Sequence, residues 1–337
     1  MITSEHELRA LCQRALQTKR VAIDTEFFWE RTFYPQLGVV QLGLSADELY
    51  LIDAIALPSL PGLGGVLADE NTQLILHDAV QDLQILSRHT GSLPRNIFDT
   101  RRAAGFAGLP STISLANLLQ EMLQITLPKG ETRSDWLQRP LSEAQYEYAL
   151  DDIRHMPELC DRLCAMASER ELAEALAEEM QSYDDPSLYA DLPMDAAYNR
   201  YKPARWPLPR RPLLYTLSCW RETEARRLDR PRSHIMQDAD LMAIVQYAPG
   251  NDIELNAVRG LARNTLLRHR AAILNAITAA ATIDPLTLPE TAPREERMST
   301  EFKQRVETRI KGIKEKAEKT GLDPALIGPK ADITALV

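Results

Sequence analysis

The chain runs to 337 residues with 45% hydrophobic and 26% charged side chains, enough for two or three domains with cores of their own. No apolar run reaches membrane-spanning length, and the opening Met1-Ile-Thr-Ser-Glu-His-Glu-Leu-Arg9 lacks the basic-then-apolar layout of an export signal, so no membrane association and a cytoplasmic setting are expected. The net charge of −9 argues against a nucleic-acid partner when taken whole, but residues 209–337 hold 21 Lys+Arg and 17 Asp+Glu, leaving 18 and 31 to residues 1–208.

An acidic part joined to a mildly basic one fits a metal-dependent catalytic half and a half that grips phosphate. An ordinary protein surface accounts for the basic part equally well. Cys12, Cys160, Cys164 and Cys219 form neither a C-x-x-C pair nor a zinc pattern, as expected of reduced thiols.

Ser4 and Glu7 stand at capping-box spacing and open a predicted helix over 5–17. Strands are predicted at 20–27, 37–44, 48–53 and 73–77, the first three close enough to form an antiparallel meander. Helical patterns follow at 79–89, 97–107, 113–125 and 143–182, the last with Ser142 as N-cap and Gln145 completing its box. This order predicts an α/β domain over 1–182, a mixed sheet flanked by helices. Residues 183–208 are rich in proline, which prevents long helices and predicts a linker. An all-helical region is expected over 209–285. A second break at Asp284–Pro293 precedes a charged helical stretch within 294–337.

The stretch Val21-Ala-Ile-Asp-Thr-Glu-Phe27 places Asp24 and Glu26 on one face of a buried strand, because side chains alternate with period two. Two adjacent carboxylates repel unless a cation or a proton intervenes. A hard divalent metal is the natural compensator, although a solvated strand end has the same spacing. Asp82 lies where a strand runs into a helix, and Tyr148 and Asp152 are spaced i, i+4, with Cβ atoms about 5–6 Å apart on one helix face. Asp53, Asp78, Asp99 and Asp151 compete for the same role on residue type alone.

In this order, Asp-x-Glu, a later Asp and Tyr-x-x-x-Asp resemble the three exonuclease motifs of the DEDD superfamily, in its tyrosine branch. Arg31-Thr-Phe-Tyr-Pro-Gln-Leu-Gly38, His77, Gln81-Asp-Leu83, Phe98-Asp-Thr100, Lys129 and Ser134-Asp-Trp136 sharpen the likeness to the ribonuclease D family. Leu217-Ser-Cys-Trp-Arg-Glu-Thr-Glu-Ala-Arg226 and Ala248-Pro-Gly250 resemble its helicase-and-ribonuclease-D C-terminal (HRDC) domain, with 294–337 as a partial second copy. The resemblance implies a ribonuclease-H-like α/β fold followed by all-α HRDC helices, and 3′–5′ exonuclease action on RNA ends, tRNA precursors among them. It further implies that Asp24, Glu26, Asp82 and Asp152 hold two Mg²⁺ or Mn²⁺ ions roughly 3.5–4 Å apart. Asp24 would bridge the two, and Tyr148 would orient the attacking water.

Phe27, His77 and Lys129 fall in or near family motifs and are expected to touch the terminal nucleotide. Core packing for Phe27 and a structural hydrogen bond for His77 stay open. The carboxylates do not read sugar identity, so a DNA-directed exonuclease is the alternative within catalysis. A nucleic-acid-binding protein with a dead nuclease core is the alternative outside it, and the complete residue set argues against it.

Overall fold

A computed structural model of the chain describes residues 1–57, 59–128, 130–131, 134–289 and 300–327. The chain divides into two compact units.

The first unit is built on a five-stranded sheet in the order β3-β2-β1-β4-β5, with β1 Arg20–Phe28, β2 Gln36–Gly43, β3 Leu49–Asp53, β4 Gln73–Leu76 and β5 Ile97–Asp99. The strands β1, β2 and β3 pair antiparallel, whereas β4 runs parallel to both β1 and β5. The meander expected from sequence is therefore one half of a mixed sheet. Val21, Ala22 and Ile23 sit fully buried at its centre. The fifth strand falls where the helix 97–107 was expected. Three residues are too few to show an alternation, and the helical pattern belongs to the segment after them.

Around the sheet lie α1 Glu5–Thr18, α2 Pro61–Leu67, α3 Val80–Thr90, α4 Thr100–Phe106 and α5 Leu115–Leu123. Ser4 caps α1 through its Oγ, which accepts from the Glu7 N–H (3.3 Å). The stretch 143–182 is three helices, α6 Glu143–Arg154, α7 Met156–Glu169 and α8 Ala173–Gln181. Pro157 has no N–H to continue α6, and Glu171 adopts a left-handed φ of 58° between α7 and α8. The capping box at Ser142 and Gln145 is present, with both reciprocal bonds formed. Helix α6 covers β1–β3 on the face that carries Ala22: a Cβ on Gly43 would meet both Ala22 and Ile153.

The second unit comprises residues 191–289 together with the loop Trp29–Pro35. Its helices are α9 Met194–Asn199, α10 Arg211–Leu228, α11 Arg232–Ile235, α12 Asp238–Tyr247, α13 Asp252–Asn256 and α14 Arg263–Ala280. The expected linker is thus partly domain. Tyr198 of α9 is fully buried in one cluster with Leu214, Leu217, Ile244 and Ile273. Prolines here open short helical turns rather than an extended strap, at Pro186, Pro203 and Pro209.

Helix α15 Thr300–Thr320 and the turn Pro324–Ile327 belong to the first unit, where a partial second helical domain was expected. The Asp323 N–H donates to Gly105 O (2.9 Å), and Asp323 Oδ2 accepts from the Ser111 N–H (2.5 Å). Leu326 fills the space over Gly105, where a Cβ would come within 2.5 Å of it. Among the described residues, no helix is long and apolar enough to cross a membrane.

Candidate active site

The central strand β1 presents Asp24 and Glu26 on the face covered by α6. Their Cα partners on β2 are Gln41 and Val39, and the register shifts by a bulge between Glu26 and Phe27. From α6, Asp152 completes a group of three: oxygens of Asp24, Glu26 and Asp152 all lie within 4.8 Å of one another. Asp82, in the first turn of α3, stands apart from that trio and is buried. Thr25 points to the opposite face of β1 from its two neighbours, and its hydroxyl donates to Asp82 Oδ1.

The electrostatics of this group are those of uncompensated negative charge. Asp24 is held well above the usual carboxylate range, first by burial and then by the charges of Asp82, Asp152 and Glu26. Burial, with Asp152 and Asp82, pushes Glu26 up to about 9. Burial raises Asp82 to about 7 despite the Thr25 hydrogen bond, and Asp152 to about 6 despite the Tyr148 hydroxyl beside it. Four carboxylates so placed fit a doubly charged cation, because hard oxygen ligands would then be neutralised rather than left repelling.

Tyr148 has its ionisation pushed far up by burial and by the charges of Asp152, Glu26 and Asp24. It is therefore a neutral phenol. Its ring packs beside that of Trp136 (centroids 6.1 Å apart, planes at 36°). Trp136 is fully buried with Val39, Leu51 and Ala149. The Trp136 segment is pinned from below. Its carbonyl accepts from Arg139 Nη1 (2.9 Å) and lies 2.4 Å from where a Gly38 Cβ would stand. Arg139 also makes a two-pronged ion pair with buried Asp53 (2.7 and 2.8 Å) and donates to Gly38 O (2.8 Å). Gly130 comes so near Tyr148 that a Cβ there would sit 2.3 Å from the ring.

The carboxylates that competed with the site in sequence are each engaged elsewhere. Asp53 holds Arg139, Asp78 pairs with Arg101, and Asp151 pairs with Arg154 (3.2 Å). Asp99 accepts from the N–H groups of Asp78, Ala79 and Arg101 and from the Tyr183 hydroxyl (2.6 Å), tying the start of α3 to that of α4. Both ring nitrogens of His77 have partners, Thr100 Oγ1 (2.9 Å) and Ile113 O (3.1 Å). Phe27 is partly buried against the main core. Lys129 lies outside the described residues. Sequence reasoning missed Thr25, Gln41 and Gly130. Of these Gln41 carried a signal, as the one polar side chain inside the apolar run Leu37–Leu44.

The arginines that look like a basic stripe on α10 are occupied within their own unit. Arg221 is buried against Asp238 (2.7 Å), Arg226 pairs with Glu222 (3.0 Å), and Arg227 with Glu224 (2.7 Å). On α14, Arg270 pairs with Asp252 (2.6 Å), while Arg263 and Arg268 are exposed.

Residues 1–167 match the 3′–5′ exonuclease domain family, and residues 211–277 match the HRDC domain family. The chain is 37% identical to ribonuclease D of Desulfotalea psychrophila, over 100% of this chain and 90% of that one. It is 31% identical to ribonuclease D of Escherichia coli, over 86% of this chain and 77% of the other. The crystal structure of E. coli RNase D, described as an exoribonuclease involved in structured RNA processing, superposes with a TM-score of 0.87 at 27% identity, covering 99% of this chain and 88% of that one. The catalytic core of RRP6 from Trypanosoma brucei shares the fold, with a TM-score of 0.65 at 19% identity over 83% of this chain and 79% of that one. With relatives of this identity over most of both chains and a matching fold, the chain belongs to the ribonuclease D family of 3′–5′ exoribonucleases.

Proposed function

We propose that this exoribonuclease trims the 3′ ends of structured RNA, tRNA precursors among them, with two divalent ions at the carboxylate group. The observation that carries the reading is the meeting of Asp24, Glu26 and Asp152 within 4.8 Å, with Asp82 near enough to raise both β1 carboxylates. Asp24, which feels the charges of the other three, would hold both ions. Glu26 and Asp152 would hold one of them, and Asp82, whose Oδ1 accepts from Thr25, would hold the other. When bound, such ions acidify the attacking water and stabilise the charge that grows on the departing 3′-oxygen.

The protein's own part is positioning. Tyr148, a neutral phenol beside Asp152, holds the water by a hydrogen bond and need not remove its proton. Trp136 and Gly130 confine the ring, so the hydroxyl keeps one place. Attack in line with the last phosphodiester releases a 5′-mononucleotide and leaves a new 3′-hydroxyl. The similarity to E. coli RNase D supports the structured-RNA substrate, and the four free cysteines support a cytoplasmic setting.

A 3′-extended tRNA precursor incubated with Mg²⁺ or Mn²⁺ tests this reading. Shortening one nucleotide at a time is expected, with mononucleotide products and no cleavage by Asp24→Asn protein or in EDTA. Internal fragments, or an active D24N variant, would refute it.

A further inference from the structure

A buried polar side chain, Gln41, lies beside the carboxylates. Gln41 is the Cα partner of Asp24 across the β1–β2 pair, so the two side chains share a face. It is fully buried. Its Nε2 lies 3.4 Å from Asp24 Oδ2 as donor, and its Oε1 has no hydrogen-bond partner. Its other cross-strand neighbour, Leu51, is apolar and fully buried.

A buried carbonyl without a donor costs stability. Val39, Leu51, Trp136 and Ala149 form an apolar cluster beside this position, which a methionine or leucine at 41 would extend without any polar cost. An amide kept there needs a donor for its Oε1, and its Nε2 already faces the carboxylate site at Asp24. A water in the hydration shell of a cation held by Asp24 would supply that donor. Ligating carboxylates are commonly held by such outer hydrogen bonds, which fix their orientation.

We propose that Gln41 is a positioning residue of the cation site: its amide N–H fixes Asp24, and its Oε1 accepts from the water shell of the bound cation. The proposal rests on the metal-dependent reading above. Gln41 is poorly satisfied in the metal-free protein and fully satisfied in the loaded one, which separates it from a residue that serves only the fold. The buried indole N–H of Trp136 also lacks a partner. Were that group the true mate of Oε1, Gln41 would stabilise the metal-free protein instead.

The test uses the full chain and its Gln41→Met variant, which keeps the length and removes both polar atoms. Two quantities are measured at one fixed pH: Mn²⁺ binding by titration calorimetry, and the melting temperature in EDTA. The expected result is Mn²⁺ affinity weakened at least tenfold, within the 10–100-fold range common for outer hydrogen-bond partners, with a metal-free melting temperature equal to the parent's or higher. Affinity changed less than tenfold, or a metal-free variant that melts lower or does not fold, overturns the proposal. Wild-type and Asp24→Asn proteins run alongside. A wild-type chain that binds no Mn²⁺ refutes the metal reading itself, whereas wild-type binding matched by the variant refutes only the role of Gln41.

Discussion

Replacing Gly130 by alanine perturbs the site through one contact. The new Cβ would stand 2.3 Å from Tyr148 Cε2 and 3.1 Å from Cδ2 and Cζ, where carbon atoms rest at about 3.5–4.0 Å. Relief requires a shift of about 1 Å. Trp136 packs beside the ring and is itself held by Arg139 and Gly38, so a shift of the phenol disturbs this packing. A misplacement of about 1 Å at a catalytic group costs roughly 100-fold in rate, or about 2.7 kcal/mol of transition-state stabilisation. The assay is kcat and KM on a 3′-tailed RNA for G130A, Y148F and the double variant. We expect kcat to fall about 100-fold in the parent background with KM nearly constant, since the phenol orients the water and does not bind the RNA. In the Y148F background the further loss should be under about threefold, because no hydroxyl remains to misplace. Near-normal kcat in G130A, or an equal loss in both backgrounds, would refute the steric reasoning.

Two further outcomes follow from the charges. Removing Arg139 strands a buried carboxylate at Asp53, so R139M should lose about 3–5 kcal/mol in urea unfolding; a loss below about 1 kcal/mol would show the pair to be dispensable. In the metal-free protein Glu26, Asp82 and Asp152 are raised to about 9, 7 and 6, while the unfolded chain releases the same protons near pH 4. Between those values the folded state holds more protons than the unfolded one, so stability in EDTA should fall as pH rises from about 4 toward 9. Metal binding needs the ionised carboxylates, so Mg²⁺ should protect most at the alkaline end and release protons on binding. A melting temperature in EDTA that climbs with pH over this range would contradict the raised values.

The chemistry was more legible in the sequence than the packing that supports it. Asp24 and Glu26 follow from period two on a buried strand, and Tyr148 with Asp152 from the helical i, i+4 spacing, because both rules act within a few residues. Gly130 and Thr25 carry no such signal: the one matters through a ring 18 positions away in the chain, the other through Asp82, 57 positions away. The same limit hid β5, whose pairing with β4 is entirely non-local. Proline density suggested a linker before Arg211, but it does not reveal that Tyr198 is a core residue. Nor does a run of arginines show that Arg221, Arg226 and Arg227 already have acidic partners.

The order in which the carboxylates occur along the chain also bears on protein synthesis. Asp24, Glu26 and Asp82 all precede α4, whereas Tyr148 and Asp152 arrive together on α6. On the roles proposed above, a chain emerging from the ribosome gathers most of its acidic ligands early and cuts nothing, because the last ligand and the water-holding phenol are still unmade. Translation through α6 supplies the last of these groups, so RNA near the ribosome meets the complete set only on chains made past that helix.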